Sequence, residues 1–308
     1  MEQAKQFLNN NIDQKERGYI MKQIIGIVVL SAALLTACNN AQPENPSHSN
    51  HNQKQSENHS NHNQKEGPEH SNHAGNHDEQ GAKVTYTFKE GKAQANQNAT
   101  VQIKLQDQAG KPIEKLDISH EKKLHLIAVS KDLSYFSHIH PEMVGKGQFE
   151  IQTKFPAGGE YKLFSDFVPT GGSSTTKSDW IKVEGKPAPT VPIQPESKLT
   201  KAVDGKEITL AIDKLQAGKE TMLNFNIKDE KSKNPITDLE QYLGAVGHVV
   251  ILDKDAKEYL HVHPMEEKAK GPDAKFMTTF PKSGIYKIWG QFKHKNEVIT
   301  VPFVVNVP

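Results

Sequence analysis

The chain carries one residue pattern twice, and the two copies lie 123 positions apart. Each copy contains three histidines and reads H-x12-H-x-H-P: His125, His138 and His140 in the first, and His248, His261 and His263 in the second. The flanking positions agree at the same offset without a gap: Pro112 with Pro235, Ile113 with Ile236, Leu116 with Leu239, Asp132 with Asp255, and Pro141 with Pro264. Agreement at so many positions predicts an internal duplication, so the fold must be one that can be built twice in tandem.

Short apolar runs, separated by turn residues, make up each copy. In the first copy they lie at 83–88, 99–105, 123–129, 135–139, 149–155, 159–167 and 179–183. In the second copy they lie at 207–213, 221–229, 247–253, 258–263, 275–280, 284–292 and 298–307. Seven short strand candidates per copy, with no helical period, predict an all-β chain with two tandem antiparallel β-sandwich domains of immunoglobulin-like or cupredoxin-like build. Continuous runs such as LHLIAV predict central strands that are buried on both faces.

Changes in composition divide the chain further. Residues 83–184 and 198–308 are the predicted domains, and the linker between them, GKPAPTVPIQPES at 185–197, contains four prolines that favour an extended, semi-rigid segment. Residues 39–82, which we call the tether, are almost entirely polar and predict a disordered segment.

Residues 1–38 predict an export signal. Met21 and Lys22 precede a short apolar stretch, too short to span a bilayer as a mature helix, and Met21 is a more typical start than Met1. The stretch ends in Leu35-Thr36-Ala37-Cys38, which resembles the lipobox of bacterial lipoproteins. That resemblance implies that Cys38 is lipidated and anchors the mature chain to the bilayer on the extracytoplasmic face of the cell membrane. The alternative is a buried apolar helix with an unrelated thiol.

Seven histidines lie in the tether, within an eleven-residue unit that recurs and carries H-x-x-H in each copy. They are His48, His51, His59, His62, His70, His73 and His77. Flexible imidazoles at this density predict weak, unselective binding of transition-metal ions. The alternative is a hydrophilic spacer in which histidine is only one more polar residue.

Hairpin geometry brings each histidine set together. If the strands pair about Asp132–Leu133, His125 lies opposite His140, and His138 lies on the same face, diagonal to His125. The second copy predicts the same arrangement about Asp255–Ala256. Three imidazoles at such distances are a candidate metal site, and free imidazoles predict that affinity falls below pH ~6.5.

Copper and zinc are the metals that this ligand set favours. Cys38 is the chain's single cysteine, so the domains hold no thiolate for a blue-copper centre. Met143 and Met265 follow the two H-x-H-P turns and are possible soft ligands for copper, although surface or packing roles explain them equally well. His120 and His294 have no counterpart in the other copy and are weaker candidates.

The hairpin motif and the histidine-rich tether carry a family resemblance. The strand pattern around H-x12-H-x-H-P resembles exported domains of the YtkA-like and FixH-like group, and the whole arrangement is similar to bacterial copper-handling lipoproteins. The resemblance implies extracytoplasmic copper or zinc binding at the six histidines, with an unidentified partner for metal transfer.

Three functional classes remain open. One is a metal-binding lipoprotein for sequestration or delivery, one is a structural or adhesive surface lipoprotein, and one is a zinc enzyme with a three-histidine site. Lys and Arg number 38 against 37 Asp and Glu, so charge gives no argument for nucleic acid as a partner.

Overall fold

A computed structural model describes residues 73–74 and 81–308, all within one compact unit, residues 66–308. Cys38 and six of the tether histidines, His48, His51, His59, His62, His70 and His77, lie outside the described residues. No helix long and apolar enough to cross a membrane occurs in the described part of the chain.

The described residues form nineteen β-strands and no helix, which confirms the predicted all-β class. The strands are β1 (His73–Ala74), β2 (Lys83–Phe88), β3 (Ala93–Gln94), β4 (Asn98–Gln106), β5 (Leu116–Asp117), β6 (Leu124–Ser130), β7 (Phe136–Ile139), β8 (Glu142–Gly145), β9 (Gln148–Lys154), β10 (Gly159–Pro169), β11 (Thr175–Glu184), β12 (Thr200–Val203), β13 (Lys206–Asp213), β14 (Glu220–Asp229), β15 (Gly247–Asp253), β16 (Tyr259–Val262), β17 (Asp273–Thr279), β18 (Gly284–His294) and β19 (Glu297–Val307). The four strands after β1 that sequence reasoning did not anticipate, β3, β5, β8 and β12, have only two to four residues each.

Each repeat folds into two facing sheets. In the first domain the sheet β2-β4-β9-β8 packs against the sheet β3-β11-β10-β6-β7, and β5 hydrogen-bonds to one end of β10. The second domain pairs β12-β13-β14-β17 with β1-β16-β15-β18-β19. Separate hydrophobic cores fill the two sandwiches. The predicted tandem β-sandwich architecture is therefore confirmed.

Strand β6 shows how one sheet serves two cores. Leu124, Leu126 and Ala128 face the core of the first domain, while Ile127 and Val129 point the other way and are also fully buried. The predicted burial on both faces is confirmed. The second face is covered by the neighbouring domain, which the sequence pattern does not reveal.

A third hydrophobic cluster therefore lies between the domains, and we call it the interdomain core. It consists of Ile127, Val129, Leu133, Phe164, Val250, Leu252, Ala256 and Trp289. Lys162 of the first domain donates to the carbonyl oxygen of Ala256 at 2.6 Å, and Lys287 of the second domain donates to that of Leu133 at 2.8 Å. These two bonds join equivalent positions of the repeats, so the domains face each other with approximate twofold symmetry.

Candidate metal centre

The hairpins β6–β7 and β15–β16 position the histidines as the sequence predicts. In the first hairpin Ile127 pairs with His138, and in the second Val250 pairs with His261. This is the predicted register in both cases. It places each histidine set on the face that carries the interdomain core, because alternate residues of a strand share a face.

Each set forms a compact triad. In the first triad (His125, His138, His140) and in the second (His248, His261, His263), one nitrogen per ring lies within 4.8 Å of the others. Ring centroids are 4.8–5.3 Å apart in the first triad and 4.9–5.8 Å apart in the second. Both sets therefore have the spacing of groups that can converge on one ion.

The two triads also touch each other across the domain interface. His261 lies 5.7 Å from both His125 and His138, measured between ring centroids, and His138 lies 6.1 Å from His248. The repeat predicts two triads but gives no sign that they meet. The six residues form one histidine cluster, to which each domain contributes half; four of them are buried, and His140 and His263 are half-buried.

Hydrogen bonds to the protein fix the proton positions in the first triad. His125 Nε2 lies 2.9 Å from the carbonyl oxygen of Ser119, and His138 Nδ1 lies 2.8 Å from Gln291 Oε1. The amide nitrogen of Gln291 donates to Thr300 Oγ1 at 3.1 Å, which orients its oxygen toward the ring. Since both oxygens only accept, each histidine carries its proton on the nitrogen that faces the oxygen.

Two lone pairs consequently face each other inside the first triad. His125 Nδ1 and His138 Nε2 are 3.1 Å apart, and His140 Nε2 is buried without a hydrogen-bond partner among the described residues. Zn–N bonds of 2.0–2.1 Å in tetrahedral geometry place neighbouring ligand nitrogens about 3.3–3.4 Å apart. The arrangement disfavours the metal-free state through lone-pair repulsion and fits a shared cation.

A carboxylate orients the second triad. His261 Nδ1 lies 2.9 Å from Asp166 Oδ2 of the first domain, so that nitrogen carries the proton and Nε2 faces the triad. Asp166 also accepts hydrogen bonds from Tyr259 and, at 2.7 Å, from Thr176. His248 is fully buried, and neither of its ring nitrogens has a hydrogen-bond partner in the described part of the chain. Carboxylate–histidine pairs of this kind are typical neighbours of bound metal ions.

Burial keeps the imidazoles neutral. Desolvation, reinforced by the neighbouring histidines, lowers the pKa of His138 and of His140 to about 3. Desolvation also lowers the pKa of His125, and it lowers that of His248 well below its usual value. For these four histidines the lowered pKa values move competition between protons and metal below the predicted pH ~6.5, because the folded protein resists their protonation.

A seventh histidine joins the cluster. His120 of the first domain stacks on His263, with ring centroids 3.9 Å apart and planes at 26°, and lies 5.1 Å from His248. Its counterpart is Leu243, and both residues have a positive φ in equivalent turns. From the sequence, His120 ranks as a weaker candidate because the second copy has no equivalent histidine. The signal that could have found it is its place in the turn just before β6, the strand that carries His125. His294, in contrast, bonds to Asp238 within the second domain.

The remaining candidates within the described residues are Met143, Met265 and His73. Met143 packs against the core of the first domain, and Met265 is exposed, which are the packing and surface roles that the sequence left open. His73 lies in β1, whose backbone pairs with β16 so that His73 is opposite His261. The backbone of this short part of the tether thus lies along the strand that carries His261.

Comparisons with solved structures find low similarity. A four-repeat segment of a large adhesion protein has 9% identity and a TM-score of 0.25, covering 73% of this chain and 49% of that one. Invasin, a bacterial integrin-binding protein, has 14% identity and a TM-score of 0.22, covering 72% and 39%. A two-domain fibronectin type III segment of chicken tenascin has 11% identity and a TM-score of 0.22, covering 73% and 97%. The chain thus spans half or less of the first two structures.

No curated protein matches the chain. One family model matches it twice, at residues 77–185 and 201–308, and together these ranges make up most of the sequence. The model is described as a domain of unknown function, DUF8832. The two matches coincide with the two sandwiches whose facing sheets carry the histidines, so the chain belongs to the DUF8832 family and contains two copies of its domain.

Proposed function

We propose that the protein binds copper or zinc ions at the interdomain histidine cluster, one ion to each triad, and sequesters or delivers them. The observation that carries this proposal is the 3.1 Å contact between His125 Nδ1 and His138 Nε2 in a buried site, where the other nitrogen of each ring faces an oxygen of the protein. If those oxygens accept the ring protons, the two facing nitrogens carry lone pairs. A protein gains nothing structural from facing lone pairs in its interior, whereas a cation between them turns repulsion into coordination.

The ligand chemistry supports these metals. Imidazole suits copper and zinc, and among divalent first-row ions copper binds nitrogen ligands most tightly. Four of the six ligands favour the neutral form, since burial lowers the pKa values of His125, His138, His140 and His248. At these positions metal binding does not have to displace a proton from a charged imidazole.

The space around the cluster favours binding over catalysis. The cavity that His125, Asp166 and His261 line has a volume of about 20 Å³. A single water needs about 10–15 Å³. A zinc enzyme needs room for a substrate beside the metal, and this cavity offers room for one water. The expected role is therefore to hold an ion and pass it on.

The cellular setting belongs to the same proposal. Lipidation of Cys38 would anchor the chain on the extracytoplasmic face of the membrane, and the tether histidines would concentrate ions near the cluster. Strand β1, which lies within the tether, pairs with β16, which carries His261, and this supports a route from weak to tight sites.

Metal titration tests the proposal. The full chain with serine at all seven tether histidines should bind two Zn²⁺ ions tightly. Changing His138 and His140 to glutamine should remove one site, and changing His261 and His263 to glutamine should remove the other. The matched control is His294→Gln, which alters a buried histidine outside the cluster. Circular dichroism confirms that each variant is folded. If neither double variant loses tightly bound Zn²⁺, the triads are not the binding sites, and this result would favour a structural or adhesive protein.

A further inference from the structure

The two triads are repeats in sequence but differ in what the opposite domain gives them. We propose that the second triad is the tighter site for divalent ions and fills first, because the first domain supplies it with the carboxylate of Asp166 and the imidazole of His120. This inference rests on the proposed function and adds to it an order of loading and two residues that set that order.

Asp166 and Gln291 hold equivalent positions on β10 and β18. Asp166 pairs with His125 in its own sheet, and Gln291 pairs with His248 in its own sheet. Each side chain nevertheless reaches the middle histidine of the opposite domain: Asp166 bonds to His261 at 2.9 Å and Gln291 bonds to His138 at 2.8 Å. The exchange of orienting groups is reciprocal.

The two orienting side chains, Asp166 and Gln291, differ in charge. Gln291 only fixes the tautomer and orientation of His138, whereas Asp166 also brings a negative charge into a buried site whose ligands are neutral. A carboxylate behind an imidazole makes the opposite ring nitrogen a stronger donor, and it offsets part of the desolvation cost of a buried dication. Burial raises the pKa of Asp166, and hydrogen bonds from Thr176, Tyr259 and His261 hold the carboxyl group in place and oppose that rise. A dication at the second triad would add to this opposition and favour the ionised carboxylate.

His120 is the second difference. Its ring centroid lies 5.1 Å from that of His248, within the 4.8–5.3 Å range that separates the ligands of the first triad. The equivalent place in the other repeat is taken by Leu243, which has no ligand atom. The second triad therefore has a fourth imidazole beside it, against His248 and His263, although only the three triad nitrogens lie within 4.8 Å of one another. A rotation of His120 toward the ion would give the four-coordinate geometry that zinc prefers.

The test is a charge swap, read by Zn²⁺ titration against a chromophoric chelator. The protein is the full chain with serine at the seven tether histidines. Removing a group that orients a ligand typically costs about 10–100-fold in metal affinity. Asp166→Asn should therefore weaken the tighter site by about 10–100-fold. It should weaken the other site by less, because the carboxylate is near His125 and His138 but hydrogen-bonds only to His261 among the triad residues. Gln291→Glu should tighten the weaker site. The combined variant should reverse the order of filling.

Two further variants assign the sites. In a His140→Gln background the remaining tight site should still respond to Asp166→Asn, and in a His263→Gln background the remaining site should respond to Gln291→Glu. His120→Asn should weaken the tighter site only. Because Gln291→Glu adds a charge and removes nothing from the second domain's core, it remains informative even where Asp166→Asn impairs folding.

The outcomes separate the two ideas. Two sites of equal affinity that do not respond to Asp166→Asn or Gln291→Glu would overturn the order of loading and leave the proposed metal binding intact. No Zn²⁺ or Cu²⁺ bound by any folded variant would overturn the proposed function itself.

Discussion

Phe136 of the first domain stacks on Trp289 of the second, with ring centroids 4.8 Å apart and planes at 17°. The equivalent pair, Phe164 and Tyr259, stacks in the same way at 4.6 Å and 13°. These two contacts lie next to the histidine cluster, one on each side of the approximate twofold axis. The interdomain core therefore fixes the separation of the triads, much as a sandwich core fixes its two sheets.

Trp289→Ala should weaken both the fold and the site. Truncating a buried tryptophan typically lowers the free energy of unfolding by about 3–5 kcal/mol, and here it also removes the surface on which Phe136 packs. We expect lower Zn²⁺ affinity at both triads, because each uses an orienting group from the opposite domain. Unfolding in urea and metal titration of the same samples provide the measurement.

The control for that change is Phe149→Ala. Phe149 is 1% exposed and packs in the first domain's own core, so its loss should lower the free energy of unfolding by a similar ~3–5 kcal/mol and leave Zn²⁺ affinity unaltered in the folded protein. Unaltered metal affinity in folded Trp289→Ala would show that the triads do not depend on the interface.

The metal-free protein should lose stability as the pH falls below about 6.5. The pKa of His138 and of His140 is about 3 in the folded protein, against about 6.5 in an unfolded chain. Between these values the unfolded state binds more protons, so the free energy of unfolding decreases toward acid. The decrease is at most about 1.4 kcal/mol per pH unit for each group.

Urea unfolding of the metal-free chain at pH 7.0, 6.0 and 5.0 measures this loss, above the range in which most carboxylates titrate. A variant with glutamine at His138 and His140 should show a shallower dependence on pH. Parallel curves for the two proteins would contradict buried, neutral histidines in the first triad.

The sequence predicts the triads well because the information is local. Strand period, turn position and the spacing of His125, His138 and His140 determine the hairpin register without reference to the rest of the fold. The interface is not local. In β10 the outward-facing residues Lys162, Phe164 and Asp166 read as an ordinary mixed surface, and nothing in that pattern shows that a second domain covers them. Asp166 and Gln291 were therefore missed, although they lie at equivalent places in the two copies.

Cys38→Ala should release the protein from the membrane fraction. If the lipobox resemblance holds, this change removes the only thiol that can accept a diacylglyceryl group, and processing at this position stops. Metabolic labelling with a fatty acid and fractionation of cells check it. Acyl label that persists in the variant would rule out Cys38 as the anchor, and a Cys38→Ser variant controls for changes in the signal other than loss of the thiol.

Deleting residues 39–72 should reduce the number of weakly bound metal ions and leave the two tight sites unchanged. That deletion removes five tether histidines, His48, His51, His59, His62 and His70, but keeps β1, whose backbone pairs with β16 next to His261.

Deleting residues 39–81 instead also removes β1 and exposes the edge of β16. If β1 only passes ions to the cluster and does not hold β16 in place, both deletions should retain two tight Zn²⁺ sites. If β1 also holds β16 in place, the longer deletion should weaken the second triad alone. Equilibrium dialysis counts the weak sites, and chelator competition measures the tight ones. Loss of all metal in the shorter deletion would locate the binding in the tether and overturn the role of the triads.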